Sequence, residues 1–184
     1  MDQSAKDYQE FLSGNQEVLT SIIRDYRDGL MLYLNGIVQN ITVAEELTED
    51  VFVKLVMKRP RFSSDSSFKT WLYAIGRNMA ISYLRCQKHK HIPLENCPEL
   101  TDDEKNLERQ YIQKEQQIFL HNAMKKLKQE YCQVLWLIYF EGFSHKETAR
   151  IMGKTVHNIE TLSYRARQAL KIKLLEEGFV YEKL

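Results

Sequence analysis

The stretch SHKETARIMGKTVHNIETLSYRARQALK, Ser144 to Lys171, sets polar and apolar side chains at helical intervals. With Ile159, Leu162, Ala166 and Leu170 turned inward, the opposite face carries His157, Asn158, Glu160, Thr161, Tyr164, Arg165 and Gln168. Their chemistry is directional hydrogen bonding rather than bond making. Presented along one helix, side chains of these types reach base edges and phosphates in a major groove. Arg165 can donate to a guanine edge and Glu160 can accept from a cytosine amine. Lys154, Arg167 and Lys171 suit the phosphate backbone, which positions a protein without reading sequence.

Such a face needs a second helix to hold it. Ser144 and Glu147 have the spacing of a capping box, which starts a short helix over HKETARIM. Ala149, Gly153, Val156, Ile159 and Leu162 then follow the pattern A-x3-G-x2-V-x2-I-x2-L. A small Ala149 permits a close crossing, Gly153 permits the corner, and Ile159 and Leu162 fill the crossing from the other side. Thr155 is placed to cap the second helix. The pattern predicts a helix-turn-helix.

Other chemistries find little support. There is no phosphate loop and no nucleophile constellation, so the chain reads as a non-enzyme. Cys86, His89, His91 and Cys97 are metal-ligand types, but C-x2-H-x-H-x5-C is not a spacing with a geometric rationale, and Pro93 interrupts it. Neither a metal nor another cofactor is expected. Three cysteines without regular spacing do not make a disulfide framework.

The composition points to helix: 43% hydrophobic, 28% charged, and only three prolines in 184 residues. No apolar run approaches the roughly 18 residues of a membrane span. The N-terminal MDQSAKDYQEF is polar and unlike a signal peptide, so a soluble, cytoplasmic protein without membrane insertion is expected. A formal net charge of +1 hides strong segregation. Residues 1–50 carry ten acidic and three basic side chains, whereas 59–90 carry seven basic ones against Asp65 alone. Residues 91–118 turn acidic, and 154–174 turn basic again, with five cations against Glu160. Two basic blocks suggest two contacts with a polyanion, and the acidic blocks suggest a different partner.

Apolar periodicity predicts a helix from Val18 to Val38, a second over VAEELTEDVFVKLVMK with Thr42 and Glu45 as its capping box, and a long one from about Ser67 to Lys90. Ala44, Leu47, Val51 and Leu55 form the inner face of the second. Residues 92–110 hold two prolines and an acidic stretch with poor periodicity, which marks a linker. Helical patterning resumes near Ile112 and runs on through YCQVLWLIYFEGF, where Val134, Leu135, Leu137, Ile138 and Phe140 are apolar and Gly142 closes the helix. The expected fold is all-α, two small helical domains on an acidic flexible linker, with boundaries at 1–91, 92–115 and 116–184.

AEELTEDVFVKLV followed by a loop and FKTWLYAIGRNMAISYLRCQKHK resembles conserved region 2 of bacterial RNA polymerase sigma factors, of the sigma-70 type and extracytoplasmic-function (ECF) class. The C-terminal stretch is similar to region 4 of the same class, in the expected order. The resemblance implies a subunit that binds core RNA polymerase and directs promoter-specific initiation, reading a duplex −35 element and a melted −10 strand. It implies docking on the β′ clamp helices through Glu46, Glu49, Asp50 and Phe52, and contact with the β subunit. For the −10 element it implies a pocket shaped by Arg61, Phe62 and Ser64 with Asn78 beside it, and cations Lys69, Arg77, Arg85 and Lys88 along the strand. Trp71 and Tyr73 are candidate stacking surfaces for bases, although spacing with Phe68 and Ile75 favours the core for Trp71.

On the −35 side the resemblance implies His157, Asn158, Glu160, Thr161, Tyr164, Arg165, Arg167 and Lys171. Glu160 and Leu162 stand where members often carry basic residues, so no promoter sequence carries over. An anti-sigma factor is a further implied partner. The two-domain form is implied too, without the extra N-terminal or middle domains of housekeeping sigma factors or a C-terminal extension. A stand-alone helix-turn-helix regulator acting without core polymerase is the alternative; it leaves the acidic helix and the −10-type helix without a task.

Overall fold

The structure, a computed structural model, describes residues 2–63, 65–90, 120 and 123–176, which are helical with short connections and contain no strand. Helix α1 (Gln3–Ser13) is an element that the periodicity argument above did not include. Its inner face is Ala5, Tyr8 and Phe11, all buried, and Gly14 ends it in the left-handed region at φ 119°. Helix α2 (Val18–Val38) is the central rod, burying Ile22, Leu30, Tyr33, Leu34 and Ile37. It stops at Gln39, which takes φ 54°, and α3 (Ile41–Lys58) starts at once.

The cap of α3 differs from the sequence expectation. Asn40, not Thr42, is the N-cap, and its side-chain oxygen accepts from the Val43 amide at 3.1 Å. Asn is as good a cap as Thr, and the corner at Gln39 leaves room for no other residue. Thr42 falls inside the first turn, and Glu45 pairs with Arg27 of α2 at 2.7 Å. The predicted inner face of α3 is observed: Ala44, Leu47, Val51 and Leu55 are buried, joined by Thr48 and Phe52.

Helix α4 (Phe68–Lys90) packs on α2 and α3. Ser67 Oγ accepts from the Thr70 amide at 3.2 Å at its start, and Asp2 accepts from the Phe68 amide at 3.2 Å. Phe62, Phe68 and Trp71 cluster around Tyr8, whose hydroxyl donates to the Pro60 carbonyl at 2.8 Å. Thus α1 locks the loop before α4 to the rest of the bundle.

Helix α5 (Gln129–Leu135) runs directly into a π-helical turn, Trp136–Phe140. The Glu141 amide closes that turn on the Trp136 carbonyl at 3.1 Å, five residues back. Gly142 ends the helix as expected, at φ 72°, but Phe140 points out and is exposed rather than buried. Helix α6 (His145–Met152) and α7 (Val156–Glu176) complete the described residues. Helix α4 packs against α6 and α2 against α5, so one buried core runs through both halves. The predicted linker over 92–115 lies outside the described residues.

Replacing the observed cap tests this register. Asn40→Ala is expected to lower stability by about 1 kcal/mol, while Thr42→Ala stays within about 0.5 kcal/mol of the parent. Urea unfolding followed by far-ultraviolet circular dichroism separates the two, and equal losses would return the cap to Thr42.

Candidate nucleic-acid and polymerase interface

The corner between α6 and α7 is built as the sequence predicts. Ser144 Oγ accepts from the Glu147 amide at 3.3 Å and the Glu147 carboxylate accepts from the Ser144 amide at 3.0 Å, both arms of a capping box. Gly153 closes α6 at φ 64°. Thr155 Oγ1 accepts from the Asn158 amide at 3.2 Å, capping α7. Ala149 and Ile159 are both buried at the crossing.

The inward stripe of α7 is Ile159, Ser163 and Ala166, with Leu162 and Leu170 half-buried at its margins. Ser163 had no apolar signal to reveal it; its small size is what the crossing accepts. On the outside, His157, Asn158, Glu160, Tyr164, Arg165, Arg167 and Lys171 are exposed and Thr161 is half-buried, as expected. Tyr164 is 59% exposed and packs on no neighbouring ring among the described residues. Lys154, His157, Asn158, Thr161, Leu162 and Arg165 line one shallow depression beside the helix. Lys154 is drawn to Glu130 at 3.0 Å.

The second basic element is α4, and there the outcome is mixed. Arg61, Asn78 and Arg85 are exposed. Phe62 packs edge-on against Phe68 and Trp71, making it part of the aromatic cluster. Ser64 lies outside the described residues; Lys88 lies within α4, with its side chain outside them. Lys69 and Arg77 both face the C-terminal helices: Lys69 meets Glu141 and Arg77 meets Gln133. Tyr73 is 1% exposed and is not available to stack on a base. Its hydroxyl donates to Glu141 at 2.7 Å, and burial pushes its pKa far above the usual tyrosine range.

On α3, Glu46, Glu49 and Asp50 are exposed, but Phe52 is 6% exposed and belongs to the core. Helical phase explains this, since Phe52 shares a face with Thr48 and Leu55. The exposed apolar residues of α3 are Val53, Val56 and Met57, the last 73% exposed. Glu46, Asp50, Val53 and Met57 follow i, i+4, i+7, i+11 spacing, a mixed acidic and apolar stripe that the sequence reading missed. Cys86 is exposed, whereas His91 and Cys97 lie outside the described residues.

Comparison with known proteins settles what these two basic elements belong to. Residues 22–90 match the family model described as sigma-70 region 2, and residues 120–170 match that for sigma-70, region 4. The chain belongs to the sigma-70 family. It is similar to RNA polymerase sigma factor YlaC of Bacillus subtilis (strain 168), 28% identical over 85% of this chain and 92% of the relative. It is also similar to ECF RNA polymerase sigma factor SigW of the same organism, 23% identical over 92% of this chain and 95% of the relative. Among solved structures, the fold matches that of sigma factor RpoE in complex with the anti-sigma factor NepR from Bartonella quintana. That match has a TM-score of 0.67 at 23% identity and covers 85% of this chain and 96% of that one. The chain is an RNA polymerase sigma factor of the ECF class. A stand-alone regulator is not favoured, because region 2 is matched as well as region 4.

Among the described residues, Glu147 is the carboxylate whose surroundings move its pKa. Partial burial would raise the pKa of Glu147, but hydrogen bonds from Ser144, Thr70 and Ser67 outweigh it and hold the group below the usual glutamate range. The folded chain therefore binds this proton less tightly than the unfolded chain. Its stabilising contribution is complete above the unfolded value and fades as pH falls towards the lowered one. Glu147→Gln is expected to remove that contribution, so its urea midpoint lies below the parent's at neutral pH. The gap should close as pH drops below the usual glutamate range. A gap that is constant with pH would show that the ionised carboxylate contributes nothing.

Proposed function

We propose that the domain spanning 1–91 docks on core polymerase and holds the melted −10 strand, and that the domain spanning 116–184 reads the −35 duplex, with 92–115 as their connector. The observation that carries the reading is α7, whose exposed face is a run of hydrogen-bonding and cationic side chains opposite a buried stripe of Ile159, Ser163 and Ala166. Arg165 and Glu160 would read base edges, with Asn158, Thr161 and Tyr164 beside them. His157, Arg167 and Lys171 would hold phosphates. On α4, Asn78, Arg85, Lys88, Lys69 and Arg77 would line the single strand, with Arg61 at its entrance. A cationic track of this kind stabilises separated strands through phosphate contact.

Core polymerase would be met by Glu46, Glu49 and Asp50 against the β′ clamp helices, with Val53 and Met57 supplying apolar area in the same stripe, and by the C-terminal domain against the β subunit. The chain would act in the cytoplasm and contribute no catalytic group; the polymerase does the chemistry. Among the described residues no helix is long and apolar enough to cross a membrane. An anti-sigma factor is the natural antagonist, a partner of the kind present in the RpoE complex.

Run-off transcription with bacterial core polymerase on fragmented genomic DNA of the source tests this. Discrete 5′ ends sharing two spaced upstream elements are expected only when the chain is added. Arg165→Ala should then cost about 1–3 kcal/mol of discrimination at one −35 base pair. Arg167→Ala should weaken binding evenly across sequences and lower the salt slope by about 1. A chain that binds duplex DNA alone and yields no specific starts with core enzyme would overturn the assignment.

A further inference from the structure

The connection between α3 and α4 carries Arg61, and both of its ends are fastened to α1, a helix with no task assigned so far. At the entrance, Arg59 takes φ 42°, a left-handed conformation that L side chains rarely adopt and that neighbours must hold in place. Two groups of α1 do so. The Tyr8 hydroxyl donates to the Pro60 carbonyl at 2.8 Å, and the Arg59 guanidinium lies over the Phe11 ring, 5.6 Å from its centre. At the exit, the carboxylate of Asp2, just before α1, accepts from the Phe68 amide at 3.2 Å and so satisfies a free donor at the start of α4.

Between the two ends, Phe62 rests on the same support. Its ring lies edge-on to Phe68 and Trp71 at 5.9 and 5.4 Å, and the Tyr8 ring lies 5.4 and 5.3 Å from those two. Tyr8 is fully buried, so neither its ring nor its hydroxyl is open to DNA. Burial pushes its pKa up to about 12, against the pull of Arg59, and the hydroxyl stays a donor at any working pH. Packing alone asks for less than this, since a phenylalanine would supply the same ring. What the hydroxyl adds is a directed bond to the backbone next to Arg61, which is left exposed.

We propose that Tyr8 and Asp2 are positioning residues for −10 recognition: they fix the two ends of the α3–α4 connection, and with them the place of Arg61 against the melted strand. The inference rests on the assignment of that connection to the −10 strand. A recognition group has to be held within about 0.5 Å to discriminate, and hydrogen bonds to the structure beneath it supply that hold. Loosening either end therefore blunts the preference for one base over another.

The test uses holoenzyme formed from the full-length chain and core polymerase. Its template is a promoter recovered by run-off transcription, with single-base variants across both elements. Tyr8→Phe keeps the ring and removes the hydroxyl, and Asp2→Ala removes the acceptor at the other end. Each is expected to lower the transcription ratio between the preferred and the substituted −10 base about fivefold, the worth of one hydrogen bond. The ratios at the −35 element should stay at the parent values. Asp2→Asn, which keeps an oxygen acceptor, should restore the −10 ratio. Such a ratio does not depend on how much of the chain is folded, so a merely structural role would lower output evenly on every template. Even loss, or no change, in both Tyr8→Phe and Asp2→Ala would overturn the positioning role while Arg61→Ala still lowered the −10 ratio. Failure of the −10 assignment shows separately: Arg61→Ala would then leave that ratio at the parent value, which would overturn both.

Discussion

A carboxylate withdrawn from water is tolerated only where donors converge on it, and Glu141, 11% exposed, has three. Two of them, Lys69 and Tyr73, come from α4 of the N-terminal half; the third, Trp136, comes from its own turn. The way the two halves meet follows from satisfying this one group. The π turn is what aims it. Relative to an unbroken α-helix, one extra residue shifts everything that follows by about 100°. That shift leaves Phe140 exposed and brings Glu141 and Phe143 onto α4, where Phe143 packs edge-on against Tyr73 at 5.1 Å. Gly29 and the small Thr70 are the corresponding concessions on the facing helices.

The charge segregation acquires a spatial meaning from this arrangement. Basic α4 is turned towards carboxylates at its N-terminal end, and its exposed cations lie further along, at Arg85. Basic α7 keeps His157, Asn158, Glu160, Tyr164 and Arg165 in solvent, and Lys154, just before it, pairs with Glu130. On acidic α3, Glu45 pairs with Arg27 of α2, while Glu46, Glu49 and Asp50 are exposed. Net neutrality is thus a sum over faces with different partners. At physiological salt, charges more than about 8 Å apart on the surface hardly sense one another, so each face acts on its own.

Local signals were legible and tertiary ones were not. The capping box at Ser144 and Glu147, the corner at Gly153 and the cap at Thr155 are encoded within a few residues and appear where the pattern puts them. The helices Val18–Val38 and Phe68–Lys90 are long enough for periodicity to dominate. Helix α1 was missed because three apolar residues at intervals of three, in a polar segment, are a weak signal until a groove between α2 and α4 is there to receive them. Thr42 had the capping spacing, yet Asn40 won because where α2 ends decides which residue can be extended. Phe52 and Val53 illustrate the limit of typing by residue: the larger aromatic is inside and its neighbour outside, as phase dictates. Nothing in local sequence announces a π turn, and so nothing announced that Lys69 and Arg77 would find partners in their own chain.

Two DNA-reading elements on one chain reinforce each other only if both can reach the promoter together. In the structure the outer face of α7 is open while Lys69 and Arg77 of α4 meet Glu141 and Gln133. Phosphates could replace Glu141 at Lys69 only by separating the halves, which exposes Tyr73 and Phe143 and leaves the Glu141 carboxylate to water. A subunit built this way would need no strong basic character to act at promoters.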